Sequence, residues 1–344
     1  MFEIQTHITF LPAMFREVQF TPGIDDPRDP TIISERPSNS GTRNSREQSY
    51  VIPNEHLLRS GHHDYGWTAI ARCYYGDYDG KAVVVKAWWP RPFEFKDRAE
   101  RFTNALFDQL DRWKEVHHPN VVAFLGVTWH ANVQPSYLSL LPSLVLPFYE
   151  NRNINNYSKS YSGQVDLIPL FLDVACGLDY LHNLSPPLPH GCVTGGNILV
   201  DSSGHACLTD VGIGKVTEAM WGSFTPRDTY RWFAPEILTK QRAIDMFTTA
   251  GDVYSFGMTM YEVYTGRPPF PTVRANTAVS DVLNGFRPPR PAAKEHIPDD
   301  MWDIIESCWK QDPLERPNIN CVWRWIELCI RTREVKSISI GDGK

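Results

Sequence analysis

The sequence predicts an α+β fold in two parts, a small β-rich lobe carrying one helix and then a larger helical lobe. Three observations carry that prediction. Runs rich in β-branched and aromatic residues lie at 68–75, 82–88, 121–129 and 143–148, with a single helical stretch over about 97–116 between the second and third. From Asp166 onward the apolar residues instead recur at three- and four-residue steps over long segments. The chain is also long enough for two fused lobes, at 344 residues with 42% apolar.

Composition bounds what surrounds those lobes. Residues 21 to about 48 pass through Pro22, Pro27, Pro30 and Pro37 and a Ser/Asn/Gly/Thr cluster. Such a stretch buries too little apolar surface to offset its ordering entropy, so residues 1–49 are expected to be a largely flexible N-terminal segment. Glu3, Arg16 and Glu17 interrupt the apolar start, which does not match a signal peptide. No apolar run reaches the roughly 18 residues of a membrane span. A net charge of -6 gives no support to a nucleic-acid partner. Seven cysteines with no C-x-x-C pair argue against a disulfide framework or a zinc site and for a reducing, cytoplasmic setting.

In chain order, Thr68–Tyr75 and Ala82–Trp88 read as a β-hairpin around Gly76-Asp-Tyr-Asp-Gly80, with Lys86 closing the run Val83-Val84-Val85. The helix over 97–116 ends at His118-Pro119-Asn120, and strand-like runs follow at Val121–Trp129 and Ser143–Phe148. Asp166 is placed to cap the next helix, with Pro169 in its first turn and Ile168, Phe171, Leu172, Ala175, Leu178 and Leu181 on one face. A loop from His190 to Asp201 comes next, then short strands at Ile198–Val200 and Ala206–Thr209 and the turn Asp210-Val211-Gly212. Asp252 is expected to cap a helix to Tyr264, stopped by Gly266 and Pro268. Residues 300–310 and 318–331 read as two amphipathic helices whose Trp302, Trp309, Trp323 and Trp325 are expected in the core.

Seven segments in this order resemble the markers of a protein kinase domain, over residues 50 to about 333. They are Val84-Val85-Lys86, His118-Pro119-Asn120, His190-Gly-Cys-Val-Thr-Gly-Gly-Asn197, Asp210-Val211-Gly212, Ala234-Pro235-Glu236, Gly251 to Gly257, and Arg316-Pro317. The resemblance is nearest to the tyrosine-kinase-like group, especially fungal members with an H-G-D-L-K-type loop. It implies a bilobal protein-kinase-like fold with an N-lobe at 50–146, a hinge at 147–150, a C-lobe at 151–333 and a tail at 334–344. It further implies that Asp252 ties its helix to the catalytic loop and that Glu236 pairs with Arg316.

The resemblance also implies ATP and Mg²⁺ as cofactors and protein partners. By position, Lys86 pairs the phosphates, Val84 and Leu199 form the roof and floor of the adenine slot, and Asn197 and Asp210 are the metal ligands. Pro147 would offer its carbonyl at the hinge and Tyr149 its N–H. On the residues alone, the apolar members of this set equally fit an inter-lobe core, and a lesser alternative for Asp210 is a turn residue before Gly212.

Several positions depart from the family pattern. With Ile70 at the Val of the phosphate-covering loop, His63, Tyr65 and Thr68 fall on its three Gly positions, and Gly61 and Gly66 are out of register. Gln109 stands where a Glu would pair Lys86, and Asp108 or Asp111 could substitute only if the helix rotates. In the loop, Gly191 replaces the Arg that gathers a phosphorylated activation segment, which leaves Ser223, Thr225, Thr229 and Tyr230 without that partner. Cys192 replaces the Asp that orients the accepting hydroxyl, and Thr194 replaces the Lys. A thiol is a poor acceptor and mostly neutral at pH 7. Two functions follow. The first is a pseudokinase, a regulatory or scaffolding module that retains nucleotide binding. The second is a weakly active Ser/Thr-type kinase working by electrostatic positioning alone.

Overall fold

The computed structural model describes residues 45–53, 56–67, 71–88, 96–129, 141–221, 227–239, 247–291 and 297–341. Most of the expected flexible segment, Thr68, Ile70, Ser223 and Thr225 lie outside the described residues. The two-part α+β architecture is as expected. After a single turn, α1 (Ser45–Gln48), five antiparallel strands form one sheet in the order β1-β2-β3-β5-β4. They are β1 (Leu57–Trp67), β2 (Ala71–Tyr78), β3 (Lys81–Trp88), β4 (Gly126–Thr128) and β5 (Ser143–Pro147). The long helix of this lobe, α2 (Lys96–Lys114), falls between β3 and β4.

The hairpin is present, but its turn is two residues long. Asp79 and Gly80 carry φ of 50° and 79°, and the Gly80 N–H donates to the Asp77 carboxylate at 2.8 Å. Gly76, Asp77 and Tyr78 therefore belong to β2 and not to the loop. The register sets Cys73 opposite Lys86, and Val84 opposite Leu146. These four side chains share one face of the sheet, while Tyr74, Val83, Val85, Ala87 and Val145 pack a separate small core with Ile52 and Leu57. With both faces covered, Val83-Val84-Val85 shows no apolar–polar alternation.

The larger part contains α3 (Ile154–Ser160), α4 (Leu167–His182), the ribbon β6 (Ile198–Val200) and β7 (Ala206–Leu208), and α5 (Ile213–Trp221). It continues with α6 (Pro235–Thr239), α7 (Thr249–Thr265), α8 (Ala275–Leu283), α9 (Asp299–Cys308) and α10 (Ile319–Gly341). Asp166 caps α4 as expected, accepting from the Ile168 N–H at 3.1 Å. Asp252 does not cap α7. Thr248 does, accepting from the Gly251 N–H at 3.0 Å, and Asp252 turns inward from the first turn. Its two carboxylate oxygens accept from the backbone N–H groups of His190 and Gly191 at 2.7 and 2.8 Å, and His182 Nε2 lies 2.8 Å away. That is the tie between helix and loop that the resemblance implied.

Trp302 and Trp309 are buried and Trp323 packs partly against the same core, but Trp325 is 39% exposed. Helix α10 turns Ile319, Val322 and Ile326 inward, and position 325 falls off that stripe. The helix runs to Gly341, past the expected boundary at 333.

Arg316 reaches both oxygens of Glu236 at 2.7 and 2.8 Å and also donates to the carbonyls of Lys310 and Ala250. The Arg316 side chain is fully buried and that of Glu236 is 17% exposed. A bidentate pair so enclosed is costly to break from one side. Arg316→Ala is expected to lower unfolding stability by about 3–5 kcal/mol, and adding Glu236→Gln should cost far less than a second such loss. Chemical denaturation of the single and double variants measures both.

Candidate functional site

A cleft of about 270 Å³ opens between the sheet and the β6–β7 ribbon. Its walls bring together Lys86, Val84, Pro147, Tyr149, Leu199, Asn197 and Asp210, every expected site residue that is described except the loop positions 192 and 194. The strands explain this convergence. Val84, Lys86 and Leu146 point the same way from β3 and β5, and Leu199 turns outward between the buried Ile198 and Val200 of β6. Cys73, Arg152, Asn153, Asn156, Gly196 and Thr209 complete the lining and were not singled out from the sequence.

At the hinge, Pro147 pairs with Val83 across the sheet and the Phe148 N–H donates to the Ala82 carbonyl at 3.2 Å. The Tyr149 carbonyl accepts from the Arg152 N–H at 3.2 Å, which bends the chain into α3. Asn153 begins that helix by accepting from the Asn156 N–H at 2.9 Å.

In the depth of the cleft Lys86 is ion-paired with Asp210, their side chains 5% and 2% exposed. Burial pushes the Lys86 ammonium down, but the Asp210 carboxylate together with the nearby cysteines holds it above its usual range. Asp210 Oδ2 makes this pair, and its Oδ1 is buried without a hydrogen-bond partner among the described residues. The hydroxyl of Thr209 is in the same state.

Asp210 and Gly212 have φ of 65° and 71°, so the chain reverses sharply between them. Gln109 of α2 lies against this reversal. A Cβ at position 212 would come within 2.1 Å of the flexible end of the Gln109 side chain, and the left-handed φ of Gly212 strains any other residue there. Gln109 is 6% exposed, and its Nε2 has no hydrogen-bond partner among the described residues. Neither neighbouring acid takes its place. Asp108 is on the exposed side of the helix and Asp111 accepts from the Tyr50 hydroxyl.

The loop hangs from Asp252. The buried His190 ring faces the Thr209 carbonyl through Nε2 at 2.8 Å, and its Nδ1 faces the Cys192 N–H at 3.3 Å. A carbonyl can only accept and an N–H can only donate, so the ring carries its proton on Nε2. Burial holds the His190 imidazole below its usual pKa, consistent with that neutral form. The His190 carbonyl in turn accepts from the Gly212 N–H at 2.9 Å. Gly191 has φ of 77°, and a Cβ there would lie 3.2 Å from the ring of Phe247, which stands where a side chain would emerge.

Asn197 donates from Nδ2 to the Cys192 carbonyl at 2.9 Å, so its amide oxygen is the atom left for a ligand. Thr194 accepts the Asn197 N–H at 2.9 Å through its own carbonyl. Part of the Cys192 residue is accessible, but its surroundings are dense. Burial and the nearby Asp210 carboxylate push the thiol up to about 12, against the lowering effect of Lys86.

Comparison with known proteins gives one family. The model for protein tyrosine and serine/threonine kinases matches residues 61–326. "Serine/threonine-protein kinase 12" of Arabidopsis thaliana is 30% identical over 254 residues, covering 72% of this chain and 52% of that protein. "Tyrosine-protein kinase receptor TYRO3" of Danio rerio is 29% identical over 229 residues, covering 62% and 25%. "Serine/threonine-protein kinase TNNI3K" of Homo sapiens is 24% identical over 278 residues, covering 80% and 32%. The chain thus spans about a quarter to a half of the length of these relatives.

A thiol held near pH 12 is protonated at every physiological pH. Cys192 should therefore label with iodoacetamide at least about a hundredfold more slowly at pH 8 than a free cysteine, and faster as pH rises until the fold is lost. The sign follows from linkage. The raised thiol adds stability that is fully present below the unfolded value near 9.0 and is lost as pH climbs toward 12. Site-resolved mass spectrometry of the labelled protein reads the rate.

Proposed function

The chain belongs to the protein kinase family, and on that premise we propose that it is a catalytically impaired member, a pseudokinase. It acts as a regulatory or scaffolding module toward protein partners and keeps a nucleotide-binding cleft. The observation that carries this reading is Cys192, a neutral thiol at the acid–base position of a loop whose suspension from Asp252 is otherwise whole. Phosphoryl transfer depends on positioning and charge, and an acid–base group typically contributes about a hundred- to ten-thousand-fold in rate. Thr194 adds no cation to stabilise a moving phosphoryl group. Gln109 adds no anion to hold Lys86 toward the phosphates.

Nucleotide binding is supported by the donor set of the cleft. Val84 and Leu199 offer apolar faces to a base, and the Pro147–Tyr149 hinge offers backbone polar groups. Lys86 is a phosphate-binding cation by position. The partnerless Oδ1 of Asp210 and the amide oxygen of Asn197 are hard donors that fit Mg²⁺. Bound there, ATP and Mg²⁺ would supply the phosphoryl group and neutralise its charge. The chain's own part would be to orient the phosphates with Lys86. It places no group at Cys192 that accepts a proton from a hydroxyl.

The retained Lys86, Asn197 and Asp210 also support the second reading, a weakly active kinase that transfers the ATP γ-phosphoryl to a Ser or Thr hydroxyl. A radiolabelled transfer assay on a generic protein substrate separates the two. The pseudokinase reading predicts background transfer that Asp210→Ala leaves unchanged. It also predicts that Cys192→Asp alone recovers nothing, because Gly191 faces Phe247 and Thr194 and Gln109 remain. Transfer that vanishes in Asp210→Ala establishes the active kinase instead. In the same preparation, millimolar ATP should raise the unfolding temperature, and Lys86→Met should abolish the rise. No rise in the unaltered protein would leave a scaffold without a nucleotide.

A further inference from the structure

We propose that Gln109 makes nucleotide binding in this cleft nearly independent of a divalent cation, by leaving Asp210 as the counter-ion of Lys86. The inference rests on the nucleotide reading above and concerns what the phosphates meet on entry.

Lys86 and Asp210 are both almost fully buried and paired to each other. The Cys73 side chain, opposite Lys86 on the neighbouring strand, shares this face of the cleft. On α2, the residue that lies against the Asp210–Gly212 reversal is Gln109, an uncharged amide. The helix supplies no substitute, since Asp111 is bonded to Tyr50 and Asp108 is on the exposed side. The pair therefore sums to zero charge in the depth of the cleft.

A divalent ion at such a site ordinarily bridges a bare carboxylate to the phosphates. Here the charge of Asp210 is already compensated by Lys86. A metal would gain only the second Asp210 oxygen and the Asn197 amide, while facing the Lys86 ammonium across the same carboxylate. Incoming phosphates likewise meet no bare carboxylate that a metal must screen. A Glu at position 109 would change this balance. It would bury a second carboxylate beside the reversal, draw on Lys86, and leave a net negative charge for the metal to compensate.

Calorimetric titration with a non-hydrolysable ATP analogue, in Mg²⁺ and in excess chelator, tests the inference on the full chain and on Gln109→Glu. The expected result is a dissociation constant that changes by less than about threefold with Mg²⁺ in the unaltered protein, and by more than about tenfold in Gln109→Glu. A tenfold or larger metal dependence in the unaltered protein overturns the inference, and that arm decides alone if Gln109→Glu does not fold. Equal metal dependence in the two proteins overturns the role of Gln109. Absence of binding in every arm removes the nucleotide reading itself, an outcome distinct from binding with strong metal dependence.

Discussion

The carboxylate of Asp252 is the point from which the centre of this molecule is suspended. It sits in the first turn of α7, a helix buried along nearly its whole length, so its position is set by the core of the larger lobe. From there it holds the N–H groups of His190 and Gly191. His190 passes the constraint on through its ring to the Thr209 carbonyl and through its own carbonyl to the Gly212 N–H. The reversal at Asp210–Gly212 is thereby fixed, and with it the anion that meets Lys86 across the cleft. A chain of short hydrogen bonds thus connects the buried helix to the sheet of the smaller lobe.

This arrangement explains how the loop keeps its shape with a thiol at 192 and a hydroxyl at 194. At Cys192 the hydrogen bonds that shape the loop come from the backbone: the N–H donates to His190 Nδ1 and the carbonyl accepts from Asn197. Thr194 likewise accepts the Asn197 N–H through its carbonyl. Backbone groups are the same for any non-proline residue, so these two positions tolerate replacement of their side chains. Asp252, His190, Glu236 and Arg316 hold the fold through side-chain atoms, and each would leave a buried partner unsatisfied if changed. The shape of the loop thus rests on backbone atoms at 192 and 194 and on side-chain atoms at 190 and 252.

Much of this was legible in the sequence because it rests on local rules. The two-part fold, the Asp166 cap and the buried face of α4 follow from periodicity and capping chemistry. The convergence of Lys86, Asn197 and Asp210 on one cleft follows from motifs in order. What was missed depends on register and tertiary packing. Centring the hairpin turn on Tyr78 would set Cys73 opposite Val83, whereas the Asp79-Gly80 turn sets it opposite Lys86, on the cleft face. Strand β1 and helix α3 carry weak periodic signals and were not anticipated. Asp252 looks like a cap by sequence, but Thr248 four residues earlier takes that role and frees the carboxylate for the loop. The exposure of Trp325 depends on which stripe of α10 meets α4, a choice made by the partner helix. No local rule places the amide of Gln109 against Gly212, since that contact joins residues about a hundred positions apart.

The claim that position 192 shapes the loop through its backbone, while the position 252 side chain carries the fold, is open to direct measurement. Unfolding free energies of Asp252→Ala and Cys192→Ser, determined side by side by chemical denaturation, test it most directly. The account predicts a loss of at least about 3 kcal/mol for Asp252→Ala and a change within about 1 kcal/mol for Cys192→Ser. A Cys192→Ser loss as large as that of Asp252→Ala would contradict it.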